Sequence, residues 1–100
     1  MDPDTGNLVP GGIEEQTQRA LKNMSAILEA SNSSLKQVLK TTVMLQSIDD
    51  FEAMNKVYSE LFTQAKGPEA MFPARSTFAV AALPKGALVE IDCISIMKPL

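Results

Sequence analysis

The chain has 100 residues, 45% of them hydrophobic and 21% charged, which is the size and composition of one globular domain spanning residues 1–100. Nine basic and twelve acidic residues give a net charge of -3, which argues against nucleic-acid binding through a broadly basic surface. The single cysteine excludes an internal disulfide, and the lack of histidine removes the commonest metal ligand and general base. We therefore expect any chemistry to use carboxylate, guanidinium, hydroxyl, amide or backbone groups.

The first twelve residues are rich in Asp, Pro, Gly and Asn, which predicts a turn-rich segment with a short strand at Leu8-Val9. No apolar run in the chain approaches the roughly 20 residues needed to cross a bilayer, and the start lacks the apolar core of a signal peptide. A lone cysteine suits a reducing compartment. These features predict a protein that does not enter membranes and is cytoplasmic, with the mitochondrion as the alternative.

A first helix is predicted from Ile13 to about Ala30, because apolar residues recur there at helical spacing and two glutamates occupy its first turn. Asn32, in the polar run that follows, is expected to end this helix in a left-handed conformation. The residues of the predicted apolar stripe are Ile13, Ala20, Leu21, Met24, Ile27 and Leu28.

Val38 to Leu45 is β-branched and apolar, which predicts a strand with Leu39, Thr41, Val43 and Leu45 on one face. A second helix, to about Ala65, is expected to begin with a capping box formed by Asp49 and Glu52. Its apolar stripe consists of Phe51, Met54, Tyr58, Leu61 and Phe62. Asn55 lies on that stripe, where an amide needs a partner or a cavity.

Two further strands are predicted at Ser76 to Ala81 and Ala87 to Met97, joined as a hairpin by the Pro-Gly turn of Leu83-Pro84-Lys85-Gly86. If Ala82 and Ala87 close that hairpin, Glu90 lies opposite Ala79 and Arg75 lies opposite Ile94. Glu90 and Asp92, two residues apart, are expected to share one strand face with Leu88, Ile94 and Ile96.

This order of elements predicts an α+β fold, a layer of two helices on one face of a mixed β-sheet. The strands carry apolar residues on both faces. We therefore expect the face without helices to be buried against other copies of the chain.

Arg75 stands where a loop becomes a strand, and its planar fork of donors matches a carboxylate; the alternative is a surface arginine or an intersubunit ion pair. Glu90 could orient or activate a water, or could be an interface carboxylate. Ser76 and Thr77 could offer hydroxyl or N–H groups to a ligand, although strand propensity alone accounts for Thr77. Cys93 is interpreted as a small apolar residue and Asp92 as structural; no spacing indicates metal ligands.

The stretch from Phe72 to Ile91, FPARSTFAVAALPKGALVEI, resembles the C-terminal signature of the YjgF/RidA family of reactive imine and enamine deaminases. Members are also described as perchloric-acid-soluble ribonucleases or translation inhibitors. The resemblance covers essentially the whole chain. It continues through Thr41-Thr42-Val43, Asp50-Phe51, Asn55-Lys56-Val57-Tyr58 and the opening Asp2-Pro3-Asp4-Thr5-Gly6.

The resemblance implies a chorismate-mutase-like fold assembled as a homotrimer, with clefts between subunits that hydrolyse 2-imino acids to 2-oxo acids and ammonia without a cofactor. Arg75 would then hold the substrate carboxylate and Glu90 would position the attacking water. Asn55, Ser76 and Thr77 would shape the pocket. The alternatives are RNA cleavage with inhibition of translation, and a trimer that binds a small carboxylate without turnover.

Family members usually carry a hairpin ahead of the first residue of this sequence, including a strand that ends in Ser-Gly-Gln. If Met1 is the true start, we expect a sheet without that edge hairpin, an incomplete cleft and a stability below that of a longer relative.

Overall fold

The computed structural model describes residues 12–67 and 72–97. Two helices, α1 (Ile13–Ala30) and α2 (Phe51–Lys66), pack with three strands, β1 (Val38–Leu45), β2 (Ala74–Ala79) and β3 (Val89–Ser95). Short 3-10 turns lie at Leu35–Gln37, Ile48–Asp50 and Pro84–Gly86. The predicted bounds of α1 and β1 are confirmed, whereas the strand predicted at Leu8-Val9 lies outside the described residues.

The end of α1 has the predicted left-handed cap. Asn32 has a φ of 60°, and the N–H of Ser33 donates to the Leu28 carbonyl at 2.8 Å, which satisfies a carbonyl of the last helical turn. The buried Ser33 hydroxyl donates to the Ile96 carbonyl at 2.7 Å. This contact ties the end of α1 to the end of β3.

The start of α2 differs from the prediction. The expected cap by Asp49 is wrong, because Asp49 donates its own N–H to the Ser47 hydroxyl at 3.2 Å, inside a 3-10 turn that precedes the helix. The residue before α2 is Asp50, whose side chain makes no capping hydrogen bond. Serine and aspartate are both preferred at the N-cap of a helical segment, and the local sequence pattern did not show that Ser47 rather than Asp49 would accept the capping hydrogen bond.

The three strands form one mixed sheet in the order β2-β1-β3. Because β1 pairs in parallel with β2 and antiparallel with β3, the predicted hairpin between β2 and β3 is wrong. Arg75 lies opposite Thr41 and Glu90 lies opposite Met44, so the expected pairs of Arg75 with Ile94 and of Glu90 with Ala79 do not form.

Gln46, directly after β1, explains how β2 and β3 come to lie on either side of that strand. Its side-chain oxygen accepts the N–H of Leu83 at 3.1 Å and its side-chain nitrogen donates to the Ala81 carbonyl at 3.3 Å. Its own N–H donates to the Leu88 carbonyl at 3.0 Å. The loop after β2 therefore crosses over the end of β1, with its backbone groups satisfied there, instead of turning back as a hairpin.

Both helices cover one face of the sheet, and the core lies between the layers. A β-bulge between Val38 and Lys40 shifts the alternation of β1, so Val38 is 1% exposed and Leu39 is 54% exposed. The prediction that Leu39 shares one strand face with Thr41, Val43 and Leu45 is therefore wrong. The core contains Leu21, Met24, Leu28, Val38, Val43, Leu45, Met54, Tyr58, Phe62 and Val89.

The other face of the sheet is open. Register places Thr42, Ser76 and Asp92 on this face, together with Met44, Phe78 and Glu90 in the next row. The large hydrophobic residues exposed on or beside it include Leu39, Phe78, Ile94, Ile96 and Met97. Neither described helix has the length and apolar composition needed to cross a membrane.

Candidate anion-binding site

Arg75 is held between β2 and α2. Because it pairs with the buried Thr41, its side chain lies on the face of the sheet that the helices cover. The residue is half-buried, and its Nη1 donates to the Asn55 side-chain oxygen at 2.5 Å. This contact explains the amide on the apolar stripe of α2, because Asn55 finds its partner in Arg75.

Two aromatic rings of α2 lie against the same guanidinium. Its central carbon is 4.8 Å from the centroid of the Tyr58 ring and 5.5 Å from that of the Phe51 ring. Both distances fall within the range of cation–π attraction. Phe51, Asn55 and Tyr58 are spaced i, i+4 and i+7, so one face of one helix supplies all three contacts.

The charge of Arg75 is not neutralised within the described part of the chain. The ion pair found there joins Lys56 to Glu14 at 3.6 Å, on the outer surface of the helices, and no described carboxylate lies within that distance of Arg75. An amide oxygen and two ring faces support a cation without cancelling its charge. The guanidinium therefore remains able to attract an anion.

Tyr58 connects this site to the central strand. Its hydroxyl and the Thr41 hydroxyl are 2.7 Å apart, and both residues are buried. Burial raises the pKa of Tyr58 above its usual value, and this effect exceeds the opposing effects of the Thr41 hydrogen bond and the Arg75 charge. Tyr58 therefore keeps its proton at neutral pH.

Thr77 follows Arg75 by two residues and faces the same layer. Its hydroxyl oxygen is buried and has no hydrogen-bond partner among the described residues. A buried hydroxyl without a partner is costly, so this oxygen is a candidate contact for a ligand. Ser76 pairs with Thr42 and lies on the open face, so its side chain points away from Arg75.

Glu90 lies on the open face, and it is exposed. The prediction that Glu90 and Asp92 share a strand face is confirmed by the register, which places them opposite Met44 and Thr42. Within one chain, however, Glu90 and Arg75 are separated by β1 and face opposite sides of the sheet. The structure brings together Arg75, Asn55 and Thr77, but not Ser76 and Glu90.

Cys93 is a free, half-buried thiol on the helix-facing side of β3. Burial and, to a smaller extent, the Asp92 carboxylate raise the pKa of its thiol. A protonated thiol is a weak nucleophile, which agrees with the interpretation of Cys93 as a small apolar residue. Cys93 also borders an apolar cavity of about 500 Å³ between α1 and β3, which Arg75 and Asn55 do not line.

The contacts of the Phe51 and Tyr58 rings with Arg75 were not predicted from the sequence. Phe51 and Tyr58 were predicted as packing residues of α2, and Tyr58 does pack in the core. Their spacing on the same helix face as Asn55 was the available signal. The missing information was that β2 would pair beside β1 and so bring Arg75 over that face.

These features define a small α+β protein with a half-buried arginine that no described carboxylate neutralises. The chain matches the family described as Endoribonuclease L-PSP over residues 1–97, and it belongs to that family, also known as the YjgF/RidA family. The human protein named 2-iminobutanoate/2-iminopropanoate deaminase is 45% identical over 100 residues, which is all of this chain and 69% of the human protein.

Two solved structures show the same fold. The YjgF gene product of E. coli superposes with a TM-score of 0.86 at 37% identity, over 97% of this chain and 73% of that one. E. coli TdcF, solved with bound serine, gives a TM-score of 0.85 at 33% identity, over 96% of this chain and 72% of that one. The predicted fold class, two helices on a mixed sheet, is confirmed.

Proposed function

We propose that this protein hydrolyses reactive 2-imino and 2-enamino acids to 2-oxo acids and ammonia. The observation that carries the proposal is the half-buried Arg75 guanidinium, which no carboxylate of the described residues neutralises. The human relative is named for two small 2-imino acids, and TdcF was solved with serine; all of these molecules carry an α-carboxylate.

Arg75 would bind that carboxylate. A guanidinium has five N–H donors, and Asn55 accepts from one of its terminal nitrogens. The other donors suit a bidentate contact with the two oxygens of a carboxylate. The unpartnered Thr77 hydroxyl, on the same strand face, would contact the substrate beside the carboxylate, and the backbone of Ser76 would form part of the pocket wall.

Glu90 would act on the attacking water. In this step the carboxylate accepts a proton as the water oxygen bonds to the carbon of the protonated imine, which produces a neutral carbinolamine. Glu90 then passes that proton to the nitrogen, the carbon–nitrogen bond breaks and ammonia leaves, while the carbinolamine hydroxyl gives its proton to the Glu90 carboxylate as the carbonyl forms. Orientation and electrostatic assistance suffice for this redox-neutral reaction, and the proposal includes no cofactor.

The opposite orientations of Arg75 and Glu90 favour a site made by two copies of the chain. A pocket that uses both side chains needs Glu90 to come from a neighbouring copy. The exposed hydrophobic residues of the open face, including Phe78 and Ile94, support association through the face that carries Glu90. We therefore propose a homotrimer with the active site in the cleft between subunits.

The test is the rate of ammonia release from 2-iminobutyrate, generated in the assay from threonine by threonine dehydratase. We expect acceleration by the unaltered chain and its loss in Arg75→Ala and in Glu90→Gln. Arg19→Ala, on α1, controls for loss of an arginine. Asp92→Asn controls for loss of a carboxylate from the same strand face. Both controls should keep the activity.

The proposal is wrong if the unaltered chain does not accelerate ammonia release. In that case, retained binding of 2-oxobutyrate that Arg75→Ala abolishes would identify a carboxylate-binding protein without turnover. Acceleration that survives both site substitutions would also contradict the proposal, because the activity would then arise from other residues.

A further inference from the structure

We propose that Tyr58 is a positioning residue for Arg75: its ring fixes the plane of the guanidinium before a carboxylate binds. This inference rests on the proposed function and assigns Tyr58 a part in it. Tyr58 itself need not touch the substrate, since it lies 2% exposed beneath Arg75. It would act by holding the Arg75 guanidinium, which binds the carboxylate.

The hydrogen bond that Arg75 donates to Asn55 is not enough to fix the guanidinium. That bond holds one nitrogen of a long side chain at one point and leaves the group free to turn about it. A ring face restricts this rotation, because a planar guanidinium gains both cation–π attraction and stacking when it lies on an aromatic ring. Tyr58 is the nearer of the two rings, at 4.8 Å.

The Tyr58 ring is itself held in place at two points. Its hydroxyl is hydrogen-bonded to Thr41, a fully buried residue of the central strand that lies directly beside Arg75 in the sheet. The Phe62 ring packs against it with a centroid distance of 4.7 Å. A rigid connection therefore runs from β1 through Tyr58 to Arg75. Phe51 is only half-buried and has no hydroxyl with which to form such an anchor.

A pre-positioned guanidinium lowers the cost of binding. A mobile arginine would lose rotamer freedom when the carboxylate arrives, and that loss would weaken binding. The attack of water on the imine carbon, assisted by Glu90, does not involve the ring. Removal of the ring should therefore raise KM, and the Kd of a carboxylate product, by about tenfold while kcat changes much less.

The experiment compares Tyr58→Leu with Phe62→Leu. Both substitutions remove one buried ring of α2, but Phe62 packs on Tyr58 and Phe72 and makes no ring contact with Arg75. Tyr58→Phe keeps the ring face and should restore most of the affinity lost in Tyr58→Leu. The readouts are KM and kcat with 2-iminobutyrate, and the Kd of 2-oxobutyrate.

Nuclear magnetic resonance adds a readout that does not need turnover. The δ-methylene protons of Arg75 lie next to the guanidinium and should be shifted upfield by the ring current of Tyr58. This shift should persist in Phe62→Leu and shrink in Tyr58→Leu to the smaller contribution of the more distant Phe51 ring. If Tyr58→Leu does not fold, Tyr58→Met provides a larger, flexible side chain without a ring face.

The positioning role is supported if KM and Kd rise much more in Tyr58→Leu than in Phe62→Leu, which removes one support of the ring but keeps its face on Arg75, and if Tyr58→Phe recovers the affinity. Equal changes in Tyr58→Leu and Phe62→Leu would overturn it, as would an unshifted Arg75 signal in the unaltered chain. Failure of the proposed function looks different: the unaltered chain would not accelerate ammonia release, whatever residue occupies position 58.

Discussion

The residues around Arg75 determine whether the charge of its guanidinium is available to a ligand. A carboxylate partner would have made Arg75 a structural ion pair. Asn55, Phe51 and Tyr58 instead provide one neutral oxygen and two ring faces. At the scale of single residues, this difference is what turns an arginine at the start of a strand into a candidate binding group.

Arg75→Lys should be nearly as damaging as Arg75→Ala. Lysine keeps the charge, but it cannot form two parallel hydrogen bonds to a carboxylate or stack flat on Tyr58. We expect kcat/KM for 2-iminobutyrate to fall by about tenfold or more, mainly through KM. Steady-state kinetics of Arg75→Lys, Arg75→Ala and the control Arg19→Lys would show this. Near-normal KM in Arg75→Lys would mean that charge alone suffices.

The protonation of Tyr58 can be measured directly. Tyr58 is the chain's one tyrosine and there is no tryptophan, so ultraviolet absorbance of the phenolate reports this residue alone. Since burial raises its pKa in the folded state, the native titration should lie above the value near 10 found in denaturant. Stability from the buried phenol is complete below about pH 10 and should be lost as the pH rises through the folded pKa.

Arg75→Met provides the control for that titration. The Arg75 charge lowers the Tyr58 pKa, so its removal by a side chain of similar length should raise the pKa further. A native titration that coincides with the denatured one would show that Tyr58 is accessible to solvent, and would contradict the buried contact with Thr41.

At the scale of the elements, the local sequence patterns predicted the bounds of a helix and a strand, which local interactions largely determine. The helical spacing from Ile13 to Ala30 and the β-branched run from Val38 to Leu45 match α1 and β1 residue for residue. The hairpin failed because strand pairing depends on a contact distant in sequence, between Gln46 and the loop that contains Leu83. The order strand, helix, strand was the overlooked signal, since such units usually join parallel neighbours.

The hydrogen bond between Tyr58 and Thr41 joins α2 to β1, and a double-mutant cycle can measure it. Tyr58→Phe leaves the Thr41 hydroxyl buried without its partner and should lower the free energy of unfolding by about 1–3 kcal/mol. Adding Thr41→Val removes the second hydroxyl at nearly constant volume and should recover most of that loss. Urea unfolding of the four chains would test it. Additive losses would mean that the two hydroxyls do not interact.

At the scale of the whole molecule, the candidate site could be predicted only in part. Arg75 and Asn55 were identified from their positions and from the family resemblance, and one chain brings them together. The position of Glu90 relative to Arg75 could not be predicted, because the side of the sheet that Glu90 faces depends on the order of the strands. A site that combines Arg75 with Glu90 requires a partner copy; the apolar pattern on both strand faces predicts association, but not which residues of the two copies meet.

If the proposed homotrimer associates through the open face, Ile94→Asp should disrupt it. Ile94 is 63% exposed on the open face, and a carboxylate there would be desolvated between copies of the chain. Ile48→Asp is the matched control, because Ile48 is similarly exposed but lies in the turn before α2. We expect light scattering to show trimers for the control and monomers for Ile94→Asp, with loss of imine hydrolysis. A trimeric Ile94→Asp would place the interface elsewhere.

A mixing experiment tests whether Arg75 and Glu90 of one active site come from different chains. Arg75→Ala chains retain Glu90, and Glu90→Gln chains retain Arg75, so each variant alone should be inactive. In cyclic assemblies formed by unfolding and refolding an equal mixture, about a quarter of the intersubunit sites would receive both intact residues. We therefore expect the mixture to regain about a quarter of the unaltered activity, whereas each variant refolded alone should regain none. If the two residues act within one chain, no mixed site is complete and the mixture should stay inactive.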